Sequence, residues 1–560
     1  MFLKIWKNNF KYLLQHLPIL IMVLIGATLT LIRFVFDGQN GCAEGICGFI
    51  IGTNYRDGVW FLAVAKTAFK TFPFQMPIYA GELLQGYHYL PNLLAYALYF
   101  LGIPVTFSYF KLFPIIYFLL LIGFGIELAR TIKDKSIFVA LFLFFALFGI
   151  PLTTITSLYH KGYIDNSALI NTFQATRLPE SIHFAFSFLI LLYVILVIYK
   201  NKPTIKSSLI IGVLVFITFG TKFYTAVALM LILILSEMFS LFNKKAWKMS
   251  LARLTIFLGS AFLAVIAFYN PTDTTQSGSI FIFSPFATVH HLIETRDLFY
   301  MSDLVNARYF LYEHGFSPRL FAIEFFSIAL FILFYFGTRV LGFIYILKQI
   351  ILRKITRFEI VLTITIISTT AASVLFIQKG DWYNPIQFAV VAAFLMNIFV
   401  AKFLFEIYQK SRLFFWILFI PVFLLTFPAN LINANYLQNK ARYVIPENEM
   451  AVLQHLESLP DGSVLAPIIE NDMAYVSAFS GKPSYANFLN VLENTGIDFE
   501  KRKYESEHLD EIVVDTLPIK YVYLSSQDEK FNILYTKFTM SKNYKLLRKN
   551  EGAVLFERIK

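Results

Sequence analysis

The stretch NYRDGVW at positions 54–60 sets Arg56 beside Asp57 shortly after a long apolar run. A carboxylate there has two uses. It caps the helix that follows, Asp being among the best N-cap residues, or it points into a protein cavity at a membrane face. Further on, PIYAGELLQGYHYLPNLL gathers Glu82, Tyr87, His88 and Tyr89 between two hydrophobic segments. A carboxylate, an imidazole and phenols in one loop make a polar pocket; equally, tyrosines mark the aromatic belt at a membrane interface, with His88 solvated. FGTKFY places Lys222 between two apolar runs, and QKGDWYN collects Lys379, Asp381 and Trp382 at a turn. An ionisable group within such a run is a functional candidate by default, although lysine also snorkels to the interface. His290 and His291 are adjacent in sequence, so they project in different directions, make a poor chelate, and are expected to be solvated or lipid-facing.

These groups need elements to hold them. Of 560 residues, 57% are hydrophobic and 15% charged, well below the ~25% charge of soluble domains. Apolar runs of roughly 20 residues recur, the length that crosses a ~30 Å hydrocarbon core as a helix. A water-soluble globule is excluded, and the fold class is a polytopic α-helical membrane protein. Eleven transmembrane helices are expected, centred near residues 24, 118, 146, 191, 213, 231, 260, 333, 368, 395 and 421. The first, about residues 12–36, is too long for a removable signal peptide and lacks its cleavage site, so it stays as an anchor. With eleven spans, all six basic clusters (around Lys7, Lys133, Lys202, Lys245, Lys354 and Lys410) fall on one side. The positive-inside rule makes that side cytoplasmic, together with the amino terminus. The net charge of +12 is then a topology signal, and no nucleic-acid partner is implied.

Three long loops fall outside the cytoplasm, at about 37–105, 156–182 and 270–318, and loops this long in a compact protein are usually functional. Cys42 and Cys47, the only cysteines, lie in the first, where a disulfide persists; the spacing fits a bridge or two free thiols. Within the same loop Trp60, Phe61, Val64, Ala65, Ala68, Phe69 and Phe72 form one apolar helical face with Lys66 and Lys70 opposite. Such a helix is expected to lie along the membrane surface, basic face toward water or headgroups. Asp57 falls in angle at the amino-terminal end of the apolar face.

The transmembrane part is expected to cover 1–435, followed by a soluble α/β domain over 436–560 outside the cytoplasm. From Tyr436 onward the chain carries 15 basic and 18 acidic residues. PENEMAVLQHLESL and FEKRKYESEHLDEIVVD read as helices, and SVLAPII, KYVYLSS and AVLFERI as short strands. The one N-x-T sequence is blocked by proline, which favours a prokaryotic membrane. No nucleotide-binding glycine pattern, metal-spaced Cys/His set or internal repeat is visible.

One span, a long outer loop opening on an acidic residue and an amphipathic helix, many further spans and an outer soluble unit resemble the GT-C superfamily of integral membrane glycosyltransferases. Its members include protein mannosyltransferases, aminoarabinose transferases and oligosaccharyltransferases. The stretch from RDG to PIYAGELLQGYHYLPNLL is similar to first-loop sequences of bacterial GT-C-like proteins. The resemblance implies a polyprenyl-phosphate-linked sugar donor and a glycan, lipid or protein acceptor at the outer membrane face. It implies Asp57 as the base that takes the acceptor proton in a single inverting displacement. Positive charge at the leaving phosphate would come from among Arg56, Arg177, Lys222, Arg296, Arg308, Arg319 and Lys379, with Glu82, Tyr87 and His88 lining the substrate site. Many relatives place two acidic residues close together, sometimes with a divalent metal such as Mg or Mn. Here Asp57 has no acidic neighbour in sequence, so Glu82 would have to supply the second carboxylate through folding, or His88 assist instead.

Two other classes fit parts of the pattern. A secondary transporter would show repeats and broken helices with charges at mid-membrane, whereas this chain concentrates its polar residues in long loops. A non-catalytic envelope scaffold would place its function in the last 120 or so residues.

Overall fold

The structure, a computed structural model, describes the chain apart from residues 1, 36, 44, 53–54, 153–154, 157–158, 160–161, 163–177, 179–180, 201–203, 242–246, 270–280, 297–299, 316, 380–382, 440–442, 467, 469–473, 511, 513 and 560. Among the described residues eight helices are long and apolar enough to span a membrane: Val105–Ile132, Ile182–Lys200, Phe223–Leu241, Trp247–Tyr269, Pro318–Ile351, Arg357–Leu375, Asn384–Lys410 and Arg412–Ile432. The chain is a multi-pass membrane protein. All eleven expected centres fall within helices, but Ser136–Phe148 and Ile205–Thr221 are shorter, so length alone does not give eleven. The amino-terminal run is not one straight span. It breaks by 109° between Asn8–Gln15 and Leu17–Leu31, where Pro18, at the start of the second segment, has no N–H to continue the first helix.

The spanning helices share one apolar core in which Phe142, Phe145, Phe188, Leu191, Ala392 and Phe399 are fully buried. A close approach between segments lies at Gly337, where the Pro318–Phe336 helix ends with φ +60°. A β-carbon there would lie 2.1 Å from the Ile150 carbonyl oxygen, so only glycine lets the two segments meet.

Beyond one end of the bundle, the first loop and the carboxy-terminal region fold together. The hairpin Gln39–Ala43/Ile46–Gly52 pairs antiparallel with Tyr443–Pro446, and Cys42 and Cys47 are joined across it by a disulfide. The main chain of Pro77–Ala80 exchanges hydrogen bonds with Ser484 and Asn487. A four-stranded sheet orders Val464–Leu465, Tyr521–Ser525, Ala553–Arg558 and Tyr544–Asn550, with the first pair parallel and the others antiparallel. Glu447–Ser458 and Glu500–Glu507 are helices.

The helix Tyr55–Thr67 runs through the middle of this assembly. Val59, Trp60, Phe61, Leu62, Ala63, Val64 and Ala65 are all buried, in one core with Leu453, Val476, Phe479 and Tyr523 of the carboxy-terminal region. The expectation of a surface-lying helix is therefore corrected: apolar residues surround its axis, and such a helix belongs inside a core. Its lysines face protein instead of headgroups. Lys66 pairs with Glu457, and Lys70 with Asp461 and the Gly481 carbonyl. Each large apolar side chain buried here contributes roughly 1.5–3 kcal/mol, which holds the helix that carries Asp57 in place.

Candidate active site

A cavity of about 520 Å³ opens where the bundle meets this assembly. The first turn of the Tyr55–Thr67 helix supplies Asp57, and its next turn Trp60 and Phe61. Asp57 is the third residue of the helix, so it is not the N-cap. A carboxylate in the first turn still gains from the helix dipole, and this one is solvent-accessible and lines the cavity.

Opposite elements complete the walls. Gly86, Tyr87 and His88 come from the loop before Leu90–Phe100, anchored where the Tyr87 N–H donates to the Phe268 carbonyl. Lys222 ends the Ile205–Thr221 helix in extended backbone, which turns its side chain away from the helix and into the cavity. Phe281 and Gln378 are cross-strand partners in the ribbon Phe281–Phe283/Phe376–Gln378. Asn384 and Gln387 open the next helix, and Val491, Asn494 and Thr495 close the roof from the carboxy-terminal region.

Behind this lining a buried chain fixes three elements. Asn92 Nδ2 donates to the Phe61 carbonyl at 2.9 Å, and Asn92 Oδ1 lies 2.6 Å from His183 Nε2. The His183 ring meets Phe61 and the edge of His88 at centroid distances of 4.2 and 5.3 Å. His88 is thus held between a buried aromatic group and the cavity. Burial, then the Lys222 charge, then His183, push the His88 imidazole well below its ordinary value, so it is neutral at physiological pH. Burial and then the Asp57 charge push the Tyr87 phenol well up. The carboxylate and the ammonium each act on a neighbouring residue of this one loop.

Of the residues singled out in the sequence, the structure brings Asp57, Tyr87, His88 and Lys222 to the cavity. Others lie elsewhere. Glu82 is outside the lining, its main chain paired with Met76. Arg308 is engaged by Glu294 and Glu324. Arg296 and Arg319 are exposed and, like Lys379, not part of the cavity wall. Arg177 lies outside the described residues, as do Asp381 and Trp382 and the side chain of Arg56. His290 is not solvated; it is 6% exposed and bonded to Glu324. His291 bonds Thr295 and packs on Tyr383.

Of the two residues expected to assist Asp57, Glu82 lies outside the lining and His88 lies in it. Among the described residues Asp57 is the single carboxylate of the lining, and no three His, Cys, Asp or Glu side chains converge.

A second, apolar groove of about 590 Å³ lies alongside, lined by Leu90, Leu94, Phe113, Leu120, Phe186, Tyr193, Leu214 and Thr221 among others. Three elements run from cavity to groove: His88 precedes Leu90, Ser181 precedes Phe186, and Lys222 follows Thr221. Sequence reasoning missed this groove and the amide side chains of the cavity. The one available signal for the amides was the polar NPIQ opening an otherwise apolar helix.

No protein-family model and no curated protein matches the sequence. The fold, however, recurs among solved structures. A crystal structure of the Archaeoglobus fulgidus oligosaccharyltransferase, described as a complex with Zn and sulfate, superposes with a TM-score of 0.51 at 11% identity, covering 96% of this chain and 73% of that one. Two others score slightly lower. One is Archaeoglobus fulgidus AglB in complex with an inhibitory peptide and a dolichol-phosphate (TM-score 0.48, 12% identity, 97% and 74% covered). The other is the mycobacterial arabinofuranosyltransferase AftD (0.49, 12%, 96% and 40%).

Proposed function

We propose, on the GT-C-type fold that the chain shares with an oligosaccharyltransferase, that it transfers a sugar from a polyprenyl-phosphate carrier to an acceptor hydroxyl or amide. The observation that carries the reading is the order of chemistries along one path. Asp57 and Lys222 line one cavity, and an apolar groove starts at Thr221, the neighbour of Lys222. A lipid-linked sugar matches that order, with the sugar in the cavity, the phosphate at the ammonium and the tail in the groove.

In the proposed reaction the Asp57 carboxylate takes the acceptor proton as the acceptor atom bonds to the anomeric carbon. The bond from that carbon to the phosphate oxygen breaks, its electron pair leaves on the lipid phosphate, and the Lys222 ammonium stabilises the charge. One displacement inverts the anomeric centre. His88, neutral and beside Lys222, donates or accepts a hydrogen bond without competing for the anion. No step is routed through a metal.

The membrane sidedness belongs to the same proposal. Lys200, Arg357 and Lys410 stand at the ends of their helices opposite to Ser181, Gln378 and Asn384, which supply the cavity. The positive-inside rule then places the cavity and the carboxy-terminal region outside the cytoplasm of a prokaryotic cell, and the amino terminus inside. The test is transfer of radiolabelled sugar from polyprenyl-phosphate donors by the reconstituted protein. Asp57→Asn should reduce transfer by roughly 10²–10⁴-fold, the range for a positioned general base, with insertion and melting temperature unchanged. Full transfer by that variant would refute the role of Asp57.

A further inference from the structure

Among the described residues, one wall of the cavity carries no charge and is built of carboxamides. The Tyr224 hydroxyl donates to Gln378 Oε1 at 2.9 Å, and Asn384 Nδ2 donates to the same oxygen at 2.8 Å. Gln378 Nε2 reaches Asn494 Oδ1 at 3.3 Å, and Gln387 Nε2 bonds Asn384 Oδ1. Four amides from three separate segments thus form one linked set lining the cavity.

This is an expensive way to build a wall. Gln378 and Gln387 are only 8% and 7% exposed, and Gln387 Oε1 is buried without a protein partner among the described residues. Buried amides must be hydrogen-bonded to be tolerated, and an apolar wall would fold as well. The linked set fills Gln378 Oε1 and one N–H each of Gln378, Asn384 and Gln387. Among the described residues it leaves Gln387 Oε1, the second N–H of those amides and the Asn494 amide N–H groups as donors and acceptors at fixed positions. That is the complement of neighbouring hydroxyl or acetamido groups. Beside them Phe223 stacks near Phe281 at 6.0 Å and packs against Tyr269 at 5.6 Å, giving flat apolar faces at the same wall. Amides next to aromatic faces suit a ring with hydroxyls at its rim and C–H groups on its face.

Resting on the glycosyl-transfer reading, we infer that the wall formed by Gln378, Asn384, Gln387 and Asn494 selects the donor sugar, and that the sugar is uncharged, a hexose or an N-acetylhexosamine. The charged groups of the lining are already committed, Asp57 to the acceptor and Lys222 to the phosphate. A uronate or amino sugar placed against the wall would meet no counter-charge among the described residues. Asn494 comes from the carboxy-terminal region, so that region takes part in choosing the donor and does not merely cover it.

The experiment measures binding and turnover by the full-length protein in lipid nanodiscs. The probes are one polyprenyl phosphate bare and carrying, in turn, a hexose, an N-acetylhexosamine, a hexuronate and an amino pentose. The neutral donors should bind at least tenfold more tightly than the bare lipid, and the charged ones no better than it. Asn494→Leu and Gln387→Met should each remove the tenfold advantage while leaving bare-lipid affinity unchanged, because neither adds a charge beside the phosphate. If either variant misfolds, Asn494→Ser provides the same comparison with a smaller neutral side chain. Equal binding of charged and neutral donors, or parallel loss of bare-lipid and sugar-lipid affinity in the variants, overturns the inference and leaves the transfer reading standing. Failure of the wild-type protein to bind any of the lipids overturns both.

Discussion

Lys66 Nζ lies 2.7 Å from Glu457 Oε1, a contact that ties the helix carrying Asp57 to the carboxy-terminal region. Glu457 is partly exposed, so the pair itself is worth at most about 1 kcal/mol. Its value as a probe is directional. Lys66→Glu or Glu457→Lys alone should lower the melting temperature and slow sugar transfer, and the double exchange should restore both. Restoration would establish that the two regions act as one body; independent, additive losses would show that they do not.

Lys222 offers a readout that does not depend on activity. Its charge is the second cause, after burial, of the depressed His88 basicity. Lys222→Met should let His88 titrate closer to its ordinary value of 6.5, as followed by the ring-proton signals of labelled histidine. Burial remains, so the recovery will be partial. The same variant should lose most transfer, and Lys222→Arg should keep part of it because the charge is retained. An unmoved His88 titration in Lys222→Met would contradict the proximity of the two groups.

The helices were legible because apolar composition over some twenty residues fixes a span regardless of neighbours. Asp57, Tyr87, His88 and Lys222 were legible because ionisable or paired polar residues between apolar runs stand out. Other features depend on partners far away in sequence. Nothing near His290 announces Glu324, which buries it. Nothing near Lys66 or Lys70 announces Glu457 and Asp461, so the helix between them looked like a surface element. Gln378, Asn384 and Asn494 are ordinary amides until a strand, a turn and a distant helix bring them together. Charge is read locally, whereas neutral hydrogen-bonding sets exist only in the folded chain.

His88 also sets a pH limit on stability. An imidazole whose basicity is depressed by folding binds its proton more readily in the unfolded chain. The stability tied to its neutral form is therefore complete above about 6.5 and is lost as pH falls from there through the depressed value. Melting temperatures of the solubilised protein should decline over that range, and His88→Gln should flatten the decline. An identical pH profile in the variant would assign the acid sensitivity to other groups.

The groove makes a prediction about chain length. Lipid tails are as apolar as the groove, so tail entry is governed by shape, not by water release, and a bulky substitution acts by overfilling. Thr221 stands at the cavity end, and Leu120 lies further along, on the helix that contributes Phe113 and Phe124. Overpacking typically costs 1–3 kcal/mol, on the order of tenfold or more in affinity. Thr221→Trp should thus raise KM for every polyprenyl donor, short or long. Leu120→Trp should raise it only for donors whose tail extends past that point, with kcat unchanged in both. Equal sensitivity of short and long donors to Leu120→Trp would mean that the tail leaves the protein near Thr221 and runs in the bilayer instead.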